Sequence, residues 1–204
     1  IRTGEWAGLR GPAFRAVIQG AWRGRALLPG GEWALGKIHP DGLFEAFRPE
    51  SHNFEPYRLR AVFEPGGVST FYDAYSFKPV MSEFDLFLWN QGNHYEIYKK
   101  MGAHPLTHQG VDGVVFAVWA PSAKRVSVVG DGNFWDGRRH PMRHRGASGV
   151  WELFVPHAWT GTLYKYEILT QSGDLLIKSD PFAFQMEQRP KTASVVYKMD
   201  NYLW

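Results

Sequence analysis

Cysteine is absent from the 204 residues, which removes disulfides, thiolate nucleophiles and cysteine-ligated metal together. An uncrosslinked chain suits a reducing, cytoplasmic compartment. Long apolar runs are missing too: stretches such as residues 114–120 fall far short of a bilayer span, so no membrane partner is expected. Neither sign of charge dominates. Lys+Arg number 23 against 20 Asp+Glu, and the surplus is spread evenly, with 10 basic and 8 acidic groups in residues 1–78. That balance lacks the basic stripe of a nucleic-acid binder. The opening Ile1-Arg2-Thr3-Gly4 has no signal-peptide core and no initiating Met, which reads as a processed or trimmed fragment.

Aromatic residues and turn formers are what the chain has in excess. Phe, Trp and Tyr make up 32 of 204 positions, and Gly and Pro another 35, too many for a helical bundle. Aromatics favour strands and also stack on flat ligands. A chain this long buries roughly 70% of its unfolded surface and needs no staples. Strand-like runs recur between turns: Arg58-Leu59-Arg60-Ala61-Val62-Phe63, Lys124-Arg125-Val126-Ser127-Val128-Val129, Trp151-Glu152-Leu153-Phe154-Val155 and Leu163-Tyr164-Lys165-Tyr166-Glu167-Ile168. Val114-Val115-Phe116-Ala117-Val118-Trp119 is a continuous apolar run bounded by Gly113 and Pro121.

An internal repeat sharpens the reading. Gly42-Leu43-Phe44-Glu45-Ala46-Phe47-Arg48-Pro49 resembles Gly149-Val150-Trp151-Glu152-Leu153-Phe154-Val155-Pro156, Pro56-Tyr57-Arg58-Leu59 resembles Leu163-Tyr164-Lys165-Tyr166, and Asp73-Ala74-Tyr75-Ser76-Phe77 resembles Asp180-Pro181-Phe182-Ala183-Phe184. All three blocks hold one offset of 107 residues. The expectation is two related β-sandwiches in tandem. Between them, His94-Tyr95-Glu96-Ile97-Tyr98-Lys99-Lys100-Met101 predicts a short connecting helix, with Ile97 and Met101 on one face and Gly102 after its end.

With these residues in view, the chain resembles the non-catalytic N-terminal region of bacterial 1,4-alpha-glucan (glycogen) branching enzymes. The resemblance runs through His94-Tyr95, Gly102-Ala103-His104-Pro105, Phe116-Ala117-Val118-Trp119-Ala120-Pro121, Val126-Ser127-Val128-Val129-Gly130-Asp131, Asn133-Phe134-Trp135-Asp136-Gly137, Tyr164-Lys165-Tyr166-Glu167-Ile168 and Asp180-Pro181-Phe182. Isoamylases and trehalohydrolases share several of these blocks; the Gly-Ala-His block narrows the match to branching enzymes. The fold implied is all-β: two tandem immunoglobulin-like β-sandwiches joined by a short helical connector. Residues 1–79 would be the first sandwich, 80–109 the connector, 110–200 a glycogen-binding sandwich and 201–204 the start of a link to a catalytic (β/α)₈ barrel. Two positions depart from the family pattern: Ala74 stands where a proline is usual, and Gly132 where an aromatic is usual.

The resemblance also implies a site and partners. Trp135 resembles the stacking tryptophan of related glycogen-binding domains, Lys165 and Asn133 would supply hydrogen bonds, and Ser194 falls near a position where those domains use asparagine. The second stacking aromatic is not evident, because residues 173–177 are aliphatic. One indole face hides about 80 Å² and contributes about 2 kcal/mol, so with a few exposed hydrogen bonds the affinity sits near millimolar. Partners implied are α-1,4-glucan or glycogen chains and the barrel of the same polypeptide, without cofactor.

Other chemistry is weaker. Asp131, Asn133 and Asp136 fail the twelve-residue calcium spacing and read as turn residues. His140 and His144 are separated by Pro141 and have no third ligand nearby, so no metal is expected. Glu83 and Asp85 read as surface or capping acids rather than a glycosidase pair, which leaves these residues without a catalytic site. Trp119, Trp151, Phe116 and Phe154 lie inside predicted strands and read as core. The alternatives are a structural or interaction module without useful glycan affinity, or the equivalent region of an isoamylase or trehalohydrolase.

Overall fold

In the computed structural model, residues 3–6, 9–28, 30–47 and 55–199 are described. The expected link at 201–204, and Arg48-Pro49 of the first repeat block, lie outside them. The chain divides into two compact units, Ile1–Phe77 and Lys78–Trp204.

Among the described residues, seven antiparallel strands make up the first unit: β1 (Thr3–Trp6), β2 (Leu9–Val17), β3 (Ala21–Leu28), β4 (Gly31–His39), β5 (Leu43–Phe47), β6 (Arg58–Phe63) and β7 (Gly67–Tyr72). They form one hydrogen-bonded path, β1-β2-β5-β4-β3-β6-β7, rather than two separate sheets. Strand β4 changes partner along its length. Its first half pairs with β3 and its second half with β5, where the register slips between Lys37 and His39. Such irregularities bend a strand and let a sheet fold over its own core. That core gathers Ala16, Ala26, Leu35, Phe44 and Leu59 from five different strands.

The second unit is a two-sheet sandwich. One sheet runs β11 (Arg143–His144), β12 (Val150–Pro156), β9 (Val111–Trp119), β8 (Gly102–His108). The other runs β10 (Ala123–Gly130), β13 (Leu163–Thr170), β16 (Ser194–Val195), β15 (Gln185–Met186), with β14 (Leu175–Lys178) also on β13. Phe116 meets Tyr164 edge-on at 5.0 Å between the sheets, and Phe116, Trp151 and Phe154 are buried as expected.

The connecting helix lies earlier than its residues predict. Helix α1 spans Glu83–Asn90, whereas 94–101 hold only a single 3₁₀ turn at Ile97–Lys99. Capping decides it. The Ser82 hydroxyl accepts from the Asp85 amide at 3.0 Å and the Asp85 carboxylate accepts from the Ser82 amide at 2.8 Å, a reciprocal box that nucleates α1. Glu96, at the start of the later turn, makes no side-chain cap. Asp85 also accepts from His94 at 3.0 Å, and these contacts hold its carboxyl well below the usual range despite partial burial. The packing expected of Ile97 and Met101 survives: both join Met81, Leu86, Ala117 and Val150 in one cluster beneath α1.

A buried acid fastens this segment to its sheet. Glu152 accepts from the Val80 and Met81 amides and pairs with Arg145, which also reaches Glu83 at 2.9 Å.

The repeat at offset 107 is physical. Tyr57 donates to Asp73 at 2.5 Å, and Tyr164 donates to Asp180 at 2.6 Å. Each aspartate then accepts from the backbone amide two residues on, Tyr75 at 2.9 Å and Phe182 at 2.8 Å. Asp73 thereby caps the turn at Ala74–Ser76 without the usual proline. Gly42 and Gly149 are matched as well. Both have positive φ, and a Cβ would strike the Ile18 carbonyl oxygen at 2.4 Å in the first unit and Pro121 at 2.7 Å in the second.

Candidate functional site

The Trp135 loop leaves β10 at Gly130 and returns alongside it: the Met142 amide donates to the Val126 carbonyl at 2.7 Å and the Val128 amide to the His140 carbonyl at 3.1 Å. Asn133 is the keystone. Only 2% exposed, its Oδ1 accepts from the Gly130 amide at 3.0 Å, and its Nδ2 donates to the Val128 carbonyl at 2.8 Å and lies 3.1 Å from His140 Nδ1. Burial, aided by the neighbouring Arg139 charge, pulls the His140 pKa down to about 4, so the ring is neutral and its Nδ1 is free to accept from Asn133.

Held this way, Phe134 and Trp135 both take left-handed backbone, φ 58° and 60°. Trp135 is 42% exposed and its amide donates to the Gly130 carbonyl at 3.0 Å. Asp136 is gripped by the Arg138 amide and guanidinium, which lower its pKa to about 2. Asp131 accepts from the Leu163 amide at 3.1 Å, so these acids serve the turn, as expected from their spacing. Gly132 has open space where a Cβ would stand.

Lys165 lies opposite Val129 in the β10–β13 ladder, on the same face as Glu167 opposite Ser127. Gly137 of the loop sits directly against Glu167, where a Cβ would fall 2.2 Å from the carboxylate. The loop therefore covers the face of the sheet that carries Lys165, whose Nζ donates to Thr192 Oγ1 at 2.7 Å. Of the four residues named from the sequence, Trp135 and Lys165 are partly exposed. Asn133 and Ser194 are not. Ser194 is fully buried and its hydroxyl accepts from the Asp180 amide at 2.9 Å, so both polar side chains are internal braces rather than exposed donors. Burial raises the Asp180 carboxyl in spite of the Tyr164 and Phe182 donors.

Trp119 corrects the core expectation: it is 52% exposed. Along β9, Phe116 and Val118 face the other sheet, while Ala117 and Trp119 face the side that α1 covers. Helix α1 covers Ala117, while at its C-terminal end Trp89 meets Trp119 edge-on at 6.2 Å. The result is a cleft of about 310 Å³ lined by Trp89, Asn90, Trp119, Pro121, Ala147 and Ser148. The Trp119 indole N–H donates to the Ser148 carbonyl at 3.2 Å, which fixes the ring. Apolar ring faces beside the Asn90 amide suit a pyranose, whereas the buried Ser148 hydroxyl is turned inward, donating to the Arg145 carbonyl and accepting from the Val150 amide. The only sequence signal for it was the strict alternation of a two-faced strand, which the continuous run of apolar residues hides.

Residues 100–183, within the second unit, match carbohydrate-binding module 48 (isoamylase N-terminal domain). The chain as a whole is a homologue of 1,4-alpha-glucan branching enzymes GlgB. It is 49% identical to that of Rubrobacter xylanophilus over 98% of this chain and 27% of that protein. It is 52% identical to that of Rhodospirillum rubrum over 82% of this chain and 23% of that protein. The chain thus spans about a quarter of the length of the curated relatives it matches. Among solved structures, the pullulanase of Anoxybacillus sp. LM18-11 complexed with maltotetraose aligns over 90% of this chain and 25% of its own, at 16% identity and a TM-score of 0.41. Among the described residues no helix is long and apolar enough to cross a membrane.

Proposed function

We propose that the second unit holds α-1,4-glucan chains for a cytoplasmic branching enzyme, which cuts such chains and transfers the piece to a 6-hydroxyl with carboxylates on a barrel elsewhere in the polypeptide. The observation that carries the reading is the Trp119 cleft: a half-exposed indole, braced by Trp89 and by its own hydrogen bond, with Asn90 and Ser148 at its rim. Trp135 and Lys165 offer a second contact, with Asn133 and Ser194 supporting them from inside. Residues 1–79 act as an accessory sandwich and 110–200 as the glucan-binding one. Holding a chain at two places orients it toward the barrel and biases the length transferred. Phe84 and Phe87, stacked at 6.4 Å and exposed on α1, support a packing role against that barrel.

Titration of the chain with maltoheptaose, followed by tryptophan fluorescence, tests this. Each stacked indole contributes about 2 kcal/mol, so Trp119→Ala and Trp135→Ala should each weaken a near-millimolar affinity by roughly 30-fold at its own site. Unchanged binding in the double variant would move the site elsewhere, and no binding of the parent chain at millimolar sugar would leave a scaffold without glucan affinity.

A further inference from the structure

Phe134 is the most conspicuous side chain that the reading above leaves unused. A large apolar ring at 80% exposure contributes almost nothing to folding, and its backbone is left-handed, which costs a bulky residue roughly 1–2 kcal/mol. Its neighbour Trp135 bears the same conformation, so two consecutive aromatics stand on an unfavourable turn. The conformation is imposed from beneath, by Asn133 and by the Trp135 amide bonded to Gly130. Glycine or asparagine at 134 would meet that backbone at lower cost. Folding alone therefore disfavours phenylalanine here; its ring calls for a ligand.

The surroundings state which kind. The Arg139 guanidinium stands 5.2 Å from the Phe134 ring centroid. Arg138 is committed in two bonds to Asp136, whereas Arg139 approaches that carboxylate only to 3.9 Å and is left with donors facing solvent. An exposed phenyl with an arginine fork over its ring suits a neutral polyhydroxylated ring: carbon–hydrogen faces on the exposed phenyl surface, hydroxyls on the guanidinium.

Resting on the glucan reading of the Trp135 loop, we infer that Phe134 is the second stacking platform of that site, contacting the same α-glucan chain as Trp135, with Arg139, which stands over the ring, as a hydroxyl donor. The aliphatic β14 does not supply this platform; the residue next to the tryptophan does.

The test uses the 204-residue chain, maltoheptaose titrations and thermal unfolding. Because the Trp119 cleft adds its own signal, the titrations are made in a Trp119→Ala background. Phe134→Gly should weaken binding about tenfold while Tm holds or rises, since the left-handed strain is relieved; Phe134→Tyr should retain affinity within about twofold. Trp135→Ala is run beside them. Loss of affinity in Trp135→Ala with none in Phe134→Gly overturns the Phe134 assignment and leaves the loop site standing. No loss in either variant overturns both. A Phe134→Gly chain whose Tm falls together with its affinity assigns the ring to the loop's structure, and also overturns the inference.

Discussion

Asn133→Ala separates a ligand residue from a brace. The side chain is buried and holds three internal contacts, to the Gly130 amide, the Val128 carbonyl and His140. Each is worth about 1 kcal/mol net, and alanine also strands a donor and an acceptor away from solvent, so the expected loss is about 2–4 kcal/mol. Urea unfolding followed by tryptophan fluorescence measures it in the absence of sugar. The Trp135 environment should change in the folded variant as well, because Asn133 sets the turn from which the indole projects. Stability within about 0.5 kcal/mol of the parent, combined with weakened maltoheptaose binding, would refute the reasoning and return Asn133 to the sugar-binding set.

Three further outcomes follow from the same contacts. His140 has a folded pKa of about 4 against 6.5 for the free side chain, so between those values the unfolded state binds more protons and stability rises with pH. Acidifying from pH 6.5 to 4 should cost at most about 3 kcal/mol, less because the ring is only half-buried, and His140→Gln should flatten that part of a stability-versus-pH curve. Tyr57→Phe and Tyr164→Phe each leave a buried aspartate short of one donor; each should destabilise its own unit by about 1–3 kcal/mol in chemical unfolding, and a neutral result at either would deny that bond structural weight. Glu152→Ala removes the buried partner of Arg145 and the acceptor for two amides, with an expected cost of about 3–5 kcal/mol and weakened glucan binding at the Trp119 cleft, read by unfolding and by titration.

Much of the fold was legible because strands advertise themselves locally. Turn residues bound the runs that became β6, β9, β10, β12 and β13, and the repeat kept its spacing because each unit carries one hydrogen-bonded device, a tyrosine just before or at the start of a strand and an aspartate sixteen residues later. The helix was misplaced for an equally local reason. Apolar spacing in 94–101 is compatible with a helix, but the box between Ser82 and Asp85 nucleates one earlier, and His94 is drawn off to bond Asp85.

The sequence by itself determined the class of protein: an aromatic-rich, cysteine-free all-β chain with an internal repeat and the blocks of the branching-enzyme family. Tertiary structure decided which of its polar and aromatic residues meet solvent. Asn133 and Ser194 look like binding residues in a string of letters and are braces in the fold, while Trp119 looks like core and lines a cleft. Exposure is a property of what packs over a residue. Asn133 is enclosed by its own loop, whose return at His140 only the fold reveals, while Ser194 is covered from Asp180 and Trp119 is left open by a helix that ends at Asn90.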